Sequence, residues 1–402
     1  MTDMKIFPIL FITLLLTGCG DSGETQTADG GIGGTGVAWG RVTGFGSIYL
    51  NDIKYETTTN TSFQFEEPLR FDESHLKVGM VVRITGNNDG VTGEAETVEY
   101  ADQLEGTVSG NDIAGSNSLT VMGQTVIIDL DTIFDDGGTG ILLVDDLPID
   151  AVIEVSGFSD GLGVIYATRI EVKSATWDGI DQLEVKGIVQ NLTATTFELG
   201  GLTIDWSAAL LPDGIPQEGQ YVEAKGDSFN GATFEADEVE TEGDGDLEWA
   251  EDGEELEIEG IVTTDFDDVT NQFTLNGQTV QITASTEFEG GGDSSDILTG
   301  KPLEVEGTMD GTLLIASEIE FGTDSADKLE IEDTVASVDL GAGSFTTVLS
   351  EQTFVTTTST IFIDELTNDQ FFSLASLNPG DSVDVNYVDD AGVLTATKVE
   401  RE

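Results

Sequence analysis

The sequence predicts an all-β protein: a tandem array of about five small antiparallel β-barrel repeats of the OB-like type, behind a lipoprotein signal and a Gly-rich tether. Three observations predict it. After Gly36, apolar residues alternate with polar ones instead of recurring at helical spacing. A two-residue hairpin signature returns along the chain with a period of roughly 65–80 residues. Each return is preceded and followed by strand patterns of the same composition.

The first element is the signal. The chain opens MTDMKIFPILFITLLLTGCG, with Lys5 ahead of an apolar run from Ile6 to Leu16. An apolar core of about 7–15 residues is a signal-peptide h-region, and spanning a bilayer as a helix takes roughly 20. Met4 gives the cleaner start, since MKIFPIL has the basic n-region. The run ends in Leu16-Thr17-Gly18-Cys19, which resembles a bacterial lipobox. By that resemblance residues 1–18 are removed and the Cys19 thiol is lipidated, which fixes the protein to a membrane through its acyl chains. A plain secretory signal is the alternative. Gly20 stands where an aspartate would favour inner-membrane retention, so the expected location is the cell envelope, at the outer membrane of a Gram-negative bacterium.

Residues 19–36 then read as a flexible tether ending in GIGGTG, Gly31–Gly36. That hexad fits the dinucleotide fingerprint G-x-G-x-x-G. The fingerprint works only after a buried strand and at the start of a helix. Here a polar segment precedes it and a strand pattern follows, so no nucleotide is expected.

The repeats follow as residues 37–102, 103–174, 182–243, 254–323 and 328–402. The hairpins are "SIYLNDIKYET", "SLTVMGQTVIID", "TFELGGLTIDW", "QFTLNGQTVQIT" and the weaker "SFTTVLSEQTFVTT". Lead strands are "VAWGRV", "QLEGTV", "QLEVKGIV", "ELEIEGIV" and "KLEIEDTV"; a later strand ("VVRITG", "VIEVSG", "YVEAKG", "PLEVEG", "SVDVNY") and a closing one ("AETVEY" to "ATKVER") complete each copy. One flat sheet of that length would leave an apolar face wet, so each copy is expected to roll up. The acidic joins "SATWDGID", "EGDGDLEWAEDGEE" and "GTDSAD" are expected to be solvated.

The Gly-rich segment after the lipobox, "GFGSIYLNDIKYET" and the G-x-V lead strands resemble a bacterial exported repeat family known as domain of unknown function 5666. The likeness is strongest in the first repeat. It is loosest in the fifth, where Asp333 and Tyr387 replace glycines. It implies architecture and envelope location, and no catalytic site.

Charge narrows the function. The chain has 78 Asp and Glu against 14 Lys and Arg, a net charge of −64, which the loss of residues 1–18 leaves unchanged. Such a surface repels nucleic acid. One cysteine allows no intramolecular disulfide. The sole histidine, His75, reads as a surface loop residue although Ser74 and Asp72 flank it, and zinc sites of His and Cys are excluded by count. Carboxylate pairs carry no signal for glycoside hydrolysis among so many acids, and no enzyme is expected. Calcium is the one cofactor the acidic loops suit. The best single cluster is Asp244, Asp246, Glu248, Glu251 and Asp252; Asp135-Asp136 with Asp145-Asp146, and Asp265 with Asp267 and Asp268, are others. Trp177 and Trp249 lie in joins, as seals between repeats or as platforms for a ligand. The expected function is a non-enzymatic, lipid-anchored envelope protein acting as a binding, spacer or structural module. Its partner would be an envelope protein or a polysaccharide. The alternatives are a carbohydrate-binding module and a calcium-binding, adhesin-like array.

Overall fold

The computed structural model describes residues 33–402 apart from 67–69, 71, 180–181, 242–249, 323–326, 368 and 391. The signal, Cys19 and most of the tether therefore lie outside the described residues. The end of the tether does not: a strand begins at Gly33 and pairs antiparallel with the later strand of the first repeat, Gly33 opposite Asp89 and Gly36 opposite Gly86. The expected flexible segment is thus four residues too long. The terminal glycines of GIGGTG continue the alternation of "VAWGR" instead of linking to it.

Five β units follow, in the expected order. The lead strands are Gly33–Arg41, Leu104–Asp112, Leu183–Ile188, Glu255–Asp267 and Leu329–Asp339. The later, or return, strands are Val81–Asp89, Val152–Ser159, Tyr221–Gly226, Pro302–Asp310 and Ser382–Asp390. The hairpin turns take left-handed conformations at Asn51-Asp52, Met122-Gly123 and Asn276-Gly277, as a two-residue turn between twisted strands requires.

In unit 2 the ladders form a circuit. The lead strand pairs with Ser118–Val121, which pairs with Gln124–Ile127. That strand runs parallel to the closing strand Val164–Ser174, which pairs with the return strand, and the return strand pairs back to the lead. Units 4 and 5 repeat this order. A single-residue bridge makes the lead–hairpin step in units 1 and 3, Gly44 to Tyr49 and Gln190 to Glu198. Before the return strand, units 1, 2, 4 and 5 carry a 3-10 turn: Glu73–His75, Val144–Asp146, Ser294–Asp296 and Leu374–Ser376. Each drops an aliphatic side chain, Leu76, Leu147, Ile297 or Leu377, into the core.

A row of separate OB-like barrels is not what the structure shows. The lead strand of unit 1 runs on in parallel with that of unit 4, Val37 opposite Leu256 and Trp39 opposite Ile258. The lead strands of units 2 and 3 pair antiparallel. The outcome is a 12-stranded and a 9-stranded sheet, each serving two units, and one apolar cluster that runs from Leu104 to Val239 across units 2 and 3. The physical reason is that a lead strand keeps backbone groups free on one edge, and another unit's lead strand satisfies them. Contacts also exceed those of a linear array, in which each repeat touches only its neighbours. Unit 1 bonds unit 2 through Thr168 to the Gly79 carbonyl (2.6 Å) and unit 5 through Thr358 to Asp52 (2.8 Å). It reaches unit 4 through the backbone amide of Arg41, which donates to Glu259 (2.8 Å).

Candidate functional site

The seams between units concentrate the few basic residues. Lys186, on the lead strand of unit 3, has an ammonium 2.8 Å from both oxygens of Glu66 in unit 1 and 2.9 Å from the Asp102 carbonyl. Glu223 and Glu184 lie 3.2 and 3.3 Å away. Burial opposes its charge, but Glu184, Glu66 and Glu223 outweigh it and hold the ammonium protonated well past the ordinary lysine range. Burial, with Glu184 alongside, pushes the Glu223 carboxyl up to about 7. At the second seam, Glu154 of unit 2 accepts both guanidinium nitrogens of Arg70 (3.0 and 2.8 Å), Lys173 (2.8 Å) and the Tyr100 hydroxyl (2.7 Å). Burial works against ionisation there too, yet Lys173 and Arg70 bring the carboxyl down to about 2. At the third, Lys328 of unit 5 spans Asp129 (2.8 Å) and Asp131 (2.6 Å) of unit 2.

Two sets of three acids among the described residues bring carboxylate oxygens within 4.8 Å of one another: Glu66, Glu184 and Glu223, and Asp102, Glu105 and Glu154. In the first, Lys186 already stands where a metal ion would. In the second, Glu154 is saturated by Arg70, Lys173 and Tyr100. Both sets lie at seams where a basic side chain already faces the acids.

Where the units do not meet, they leave cavities. One of about 450 Å³ lies between Trp39, Tyr100, Lys186 and Tyr221. A larger one, about 700 Å³, opens among units 1, 2, 4 and 5. Six carboxylates line it, Asp52, Asp129, Asp131, Glu259, Glu304 and Glu320, against two cations, Arg41 and Lys328. Phe158, Tyr166 and Phe321 add aromatic wall. Arg41 is 3.3 Å from Glu259, and Thr397 donates to Asp131 at 2.8 Å, so part of the rim is held in place. Burial and the neighbouring Glu257 push the Glu304 carboxyl well above the ordinary carboxylate range. An acid-rimmed, partly aromatic hollow of this size fits a small organic ligand.

The residues singled out in the sequence fall elsewhere. Cys19, Asp244, Asp246, Glu248 and Trp249 lie outside the described residues. Of that acidic cluster, Asp252 accepts the Gly311 amide (3.1 Å), and the Glu251 amide donates to Glu254 (2.8 Å). Both cap turns. Asp265 likewise accepts the Thr299 amide and hydroxyl, both at 2.8 Å, and Asp136 the Gly138 amide at 2.9 Å. Trp177 is half-buried against the apolar cluster of units 2 and 3, its ring 6.4 Å from Phe229, which suits a seal. His75 Nδ1 meets Asp72 at 3.0 Å, but the Ser74 hydroxyl also donates to Asp72, at 2.5 Å, so no serine–histidine relay is set up. Sequence reasoning missed the four-unit cavity and the lysine seams. The available signal was scarcity: a lysine inside "QLEVKGIV", in a chain with 14 basic residues, marks a partner that needs it.

Among the described residues no helix is long and apolar enough to cross a membrane. Comparison with curated proteins gives no match. A family model, a domain of unknown function (DUF5666), matches five times, at residues 39–99, 105–171, 186–240, 259–320 and 334–400, in step with the five β units. With most of its length covered, the chain belongs to the DUF5666 family.

Proposed function

We propose that the protein is a lipid-anchored, non-enzymatic binding protein of the cell envelope, and that the four-unit cavity receives its ligand. The carrying observation is that cavity: about 700 Å³, six carboxylates against two cations, with aromatic wall. A surplus of buried-rim acid favours a ligand with a positive group and an apolar body, and the net charge of −64 draws cations toward it. Association of unit 1 with all its neighbours speaks for a folded receptor over an extended spacer. The lipid anchor rests on the lipobox pattern at Cys19.

Titration calorimetry with spermidine and phenethylamine tests the cavity. Saturable 1:1 binding, weakened by salt and by Asp52→Asn with Glu320→Gln, is expected. The aromatic wall favours a second reading, a carbohydrate site, which takes over if neutral oligosaccharides bind and the amines do not. Silence with both refutes the cavity as a ligand site. Cys19→Ala is expected to release the protein from the membrane fraction; continued association would refute the anchor.

A further inference from the structure

Four of the five lead strands take another unit's lead strand along one edge, units 1 with 4 and 2 with 3. The lead strand of unit 5 is the odd one. Among the described residues, the six strands of unit 5 pair only with one another. Its lead strand holds the return strand along one edge, from Leu329 to Thr334. On the other edge the hairpin strand begins only at Val335, and the Thr334 carbonyl accepts the Val348 amide. Among the described residues no strand lies along that second edge from Leu329 to Glu332.

Burial differs in step with pairing. Counted back from the glycine of each lead strand (Gly40, Gly106, Gly187 and Gly260, with Asp333 in its place in unit 5), the second residue is Ala38, Leu104, Val185, Ile258 or Ile331. The first four are at most 1% exposed, whereas Ile331 is only half-buried against its own core. Two residues earlier, Leu183 and Leu256 are 0% exposed and Leu329 is 47% exposed. An open strand edge flanked by two exposed aliphatic side chains is a template for another strand.

The pairing of units 2 and 3 shows which strand fits. Leu104 lies opposite Val185, each two residues before its glycine. Glu105, one residue before its glycine, lies opposite Glu184, three before its own. That register is a local two-fold, because exchanging the strands gives the same pairing. Transposed to two copies of unit 5, it sets Ile331 opposite the partner's Ile331 and Glu330 opposite the partner's Glu332. The two-fold is then exact, and such a contact closes. The parallel step between units 1 and 4 is staggered, with Val37 three residues before its glycine and Leu256 four, so it cannot close between two copies.

We propose that the free edge of the unit 5 lead strand binds a second copy of this chain, lead strand against lead strand and antiparallel about Ile331. Leu329 and Ile331 then leave water, and the edge gains ladder partners. The apolar clusters of the two copies join there as those of units 2 and 3 join in one chain. Opposing this, Glu330 meets the partner's Glu332 twice, and each copy carries a charge of −64. The fold already accommodates such a pair, Glu105 opposite Glu184. Association is therefore salt-dependent, strengthening as repulsion is screened. Residues 329–332 lie outside the lining of the four-unit cavity, so this contact stands or falls separately from the cavity reading.

The test is sedimentation equilibrium of the full-length protein in density-matched detergent at pH 7.5, at 0.05 and 0.5 M sodium chloride. A monomer–dimer equilibrium in the micromolar range is expected at the higher salt, and association at least tenfold weaker at the lower. Leu329→Glu should remain monomeric at 0.5 M salt, with the wild-type melting midpoint at a concentration where the wild type is itself monomeric. In a Cys19→Ala chain, where the introduced thiol is the only one, Ile331→Cys should oxidise to a disulfide-linked dimer, since directly opposed strand residues lie within disulfide reach. Leu340→Cys, at an exposed position beyond the lead strand, should not. A wild type that stays monomeric at 0.5 M salt, a Leu329→Glu protein that still dimerises, or equal cross-linking at residues 331 and 340 would each overturn the proposal. A monomer that takes up an extended basic peptide along this edge would overturn it too, by giving the edge a different occupant.

Discussion

Replacement of Lys186 by methionine removes a charge and keeps the length of the side chain. Three acidic partners and one carbonyl then change together. The ammonium is 4% exposed, Glu223 1%, and the Glu66 oxygens sit at 2.8 Å. Lys225 still holds Glu223, at 2.5 Å, but nothing replaces the contact to Glu66 across the unit 1–unit 3 seam. Removing one partner of a buried ion pair costs about 3–5 kcal/mol, because the other charge stays buried. Spread over the unfolding entropy of a chain this long, that is a midpoint shift of about 4–6 °C. The cost should depend on pH. Glu223, pushed up to about 7, is ionised at pH 7.5 and largely protonated at pH 5.5. Differential scanning calorimetry of wild type and Lys186→Met at both pH values reads the effect. A loss below about 1 kcal/mol at pH 7.5, or the same loss at pH 5.5, would refute the seam and leave only packing of the aliphatic stem.

The remaining expectations concern turns and titration. At Gly260 a Cβ would overlap the Asn276 amide, which donates to the Glu259 carbonyl (3.0 Å) and accepts the Ile261 amide (2.9 Å). Gly260→Ala should cost about 1–3 kcal/mol, and hydrogen exchange should show the unit 4 hairpin opening first. In unit 5 Asp333 stands where that glycine would be and does the same task from the opposite side, accepting the amides of Leu349 (2.9 Å) and Ser350 (2.8 Å). Asp333→Ala should cost about 2–3 kcal/mol, with exchange protection lost at those two amides. For pH, Glu223 and Asp384 near 7 and Glu257 near 8 are raised mainly by burial, and Glu365 near 7 mainly by its bond to Glu400. The folded state thus binds more protons than the unfolded one, and stability should fall as pH rises from about 4.5 to 8. Glu154, held down at about 2, gives the opposite slope below about pH 4.5. Melts across that range should peak near pH 5; a plateau to pH 8 would contradict it.

What the sequence made legible was local. "LNGQ" and "VMGQ" announce their turns because a left-handed pair between two apolar runs has few other uses, and Asn276-Gly277 and Met122-Gly123 sit there. Five such signals gave the five units. The pairing of units was not legible. Val37 meets Leu256, and Lys186 meets Glu66, across 219 and 120 residues, and nothing in either segment names the other. The acidic loops are ambiguous in sequence for a physical reason. An aspartate beside a glycine turn is suited to a cation and equally to a backbone amide, and at Asp136, Asp252 and Asp265 the amide is there.

A net charge of −64 on one folded body sets repulsion against the seams that hold it. The two respond differently to salt. Repulsion among exposed carboxylates is screened over about 8–10 Å at 0.1–0.15 M salt. Lys186 with Glu223, Arg70 with Glu154, and Lys328 with Asp131 are buried or nearly so, and salt screens such pairs much less. Sodium chloride should therefore weaken what opposes folding more than what supports it. With chelator present, to keep divalent ions from contributing, the melting midpoint is expected to climb between 0.05 and 0.5 M salt and to climb more steeply at pH 8 than at pH 5, where fewer carboxylates are ionised. A midpoint that falls with salt would mean that exposed ion pairs such as Lys54 with Glu56 dominate, and that the buried seams contribute little to holding the five units together.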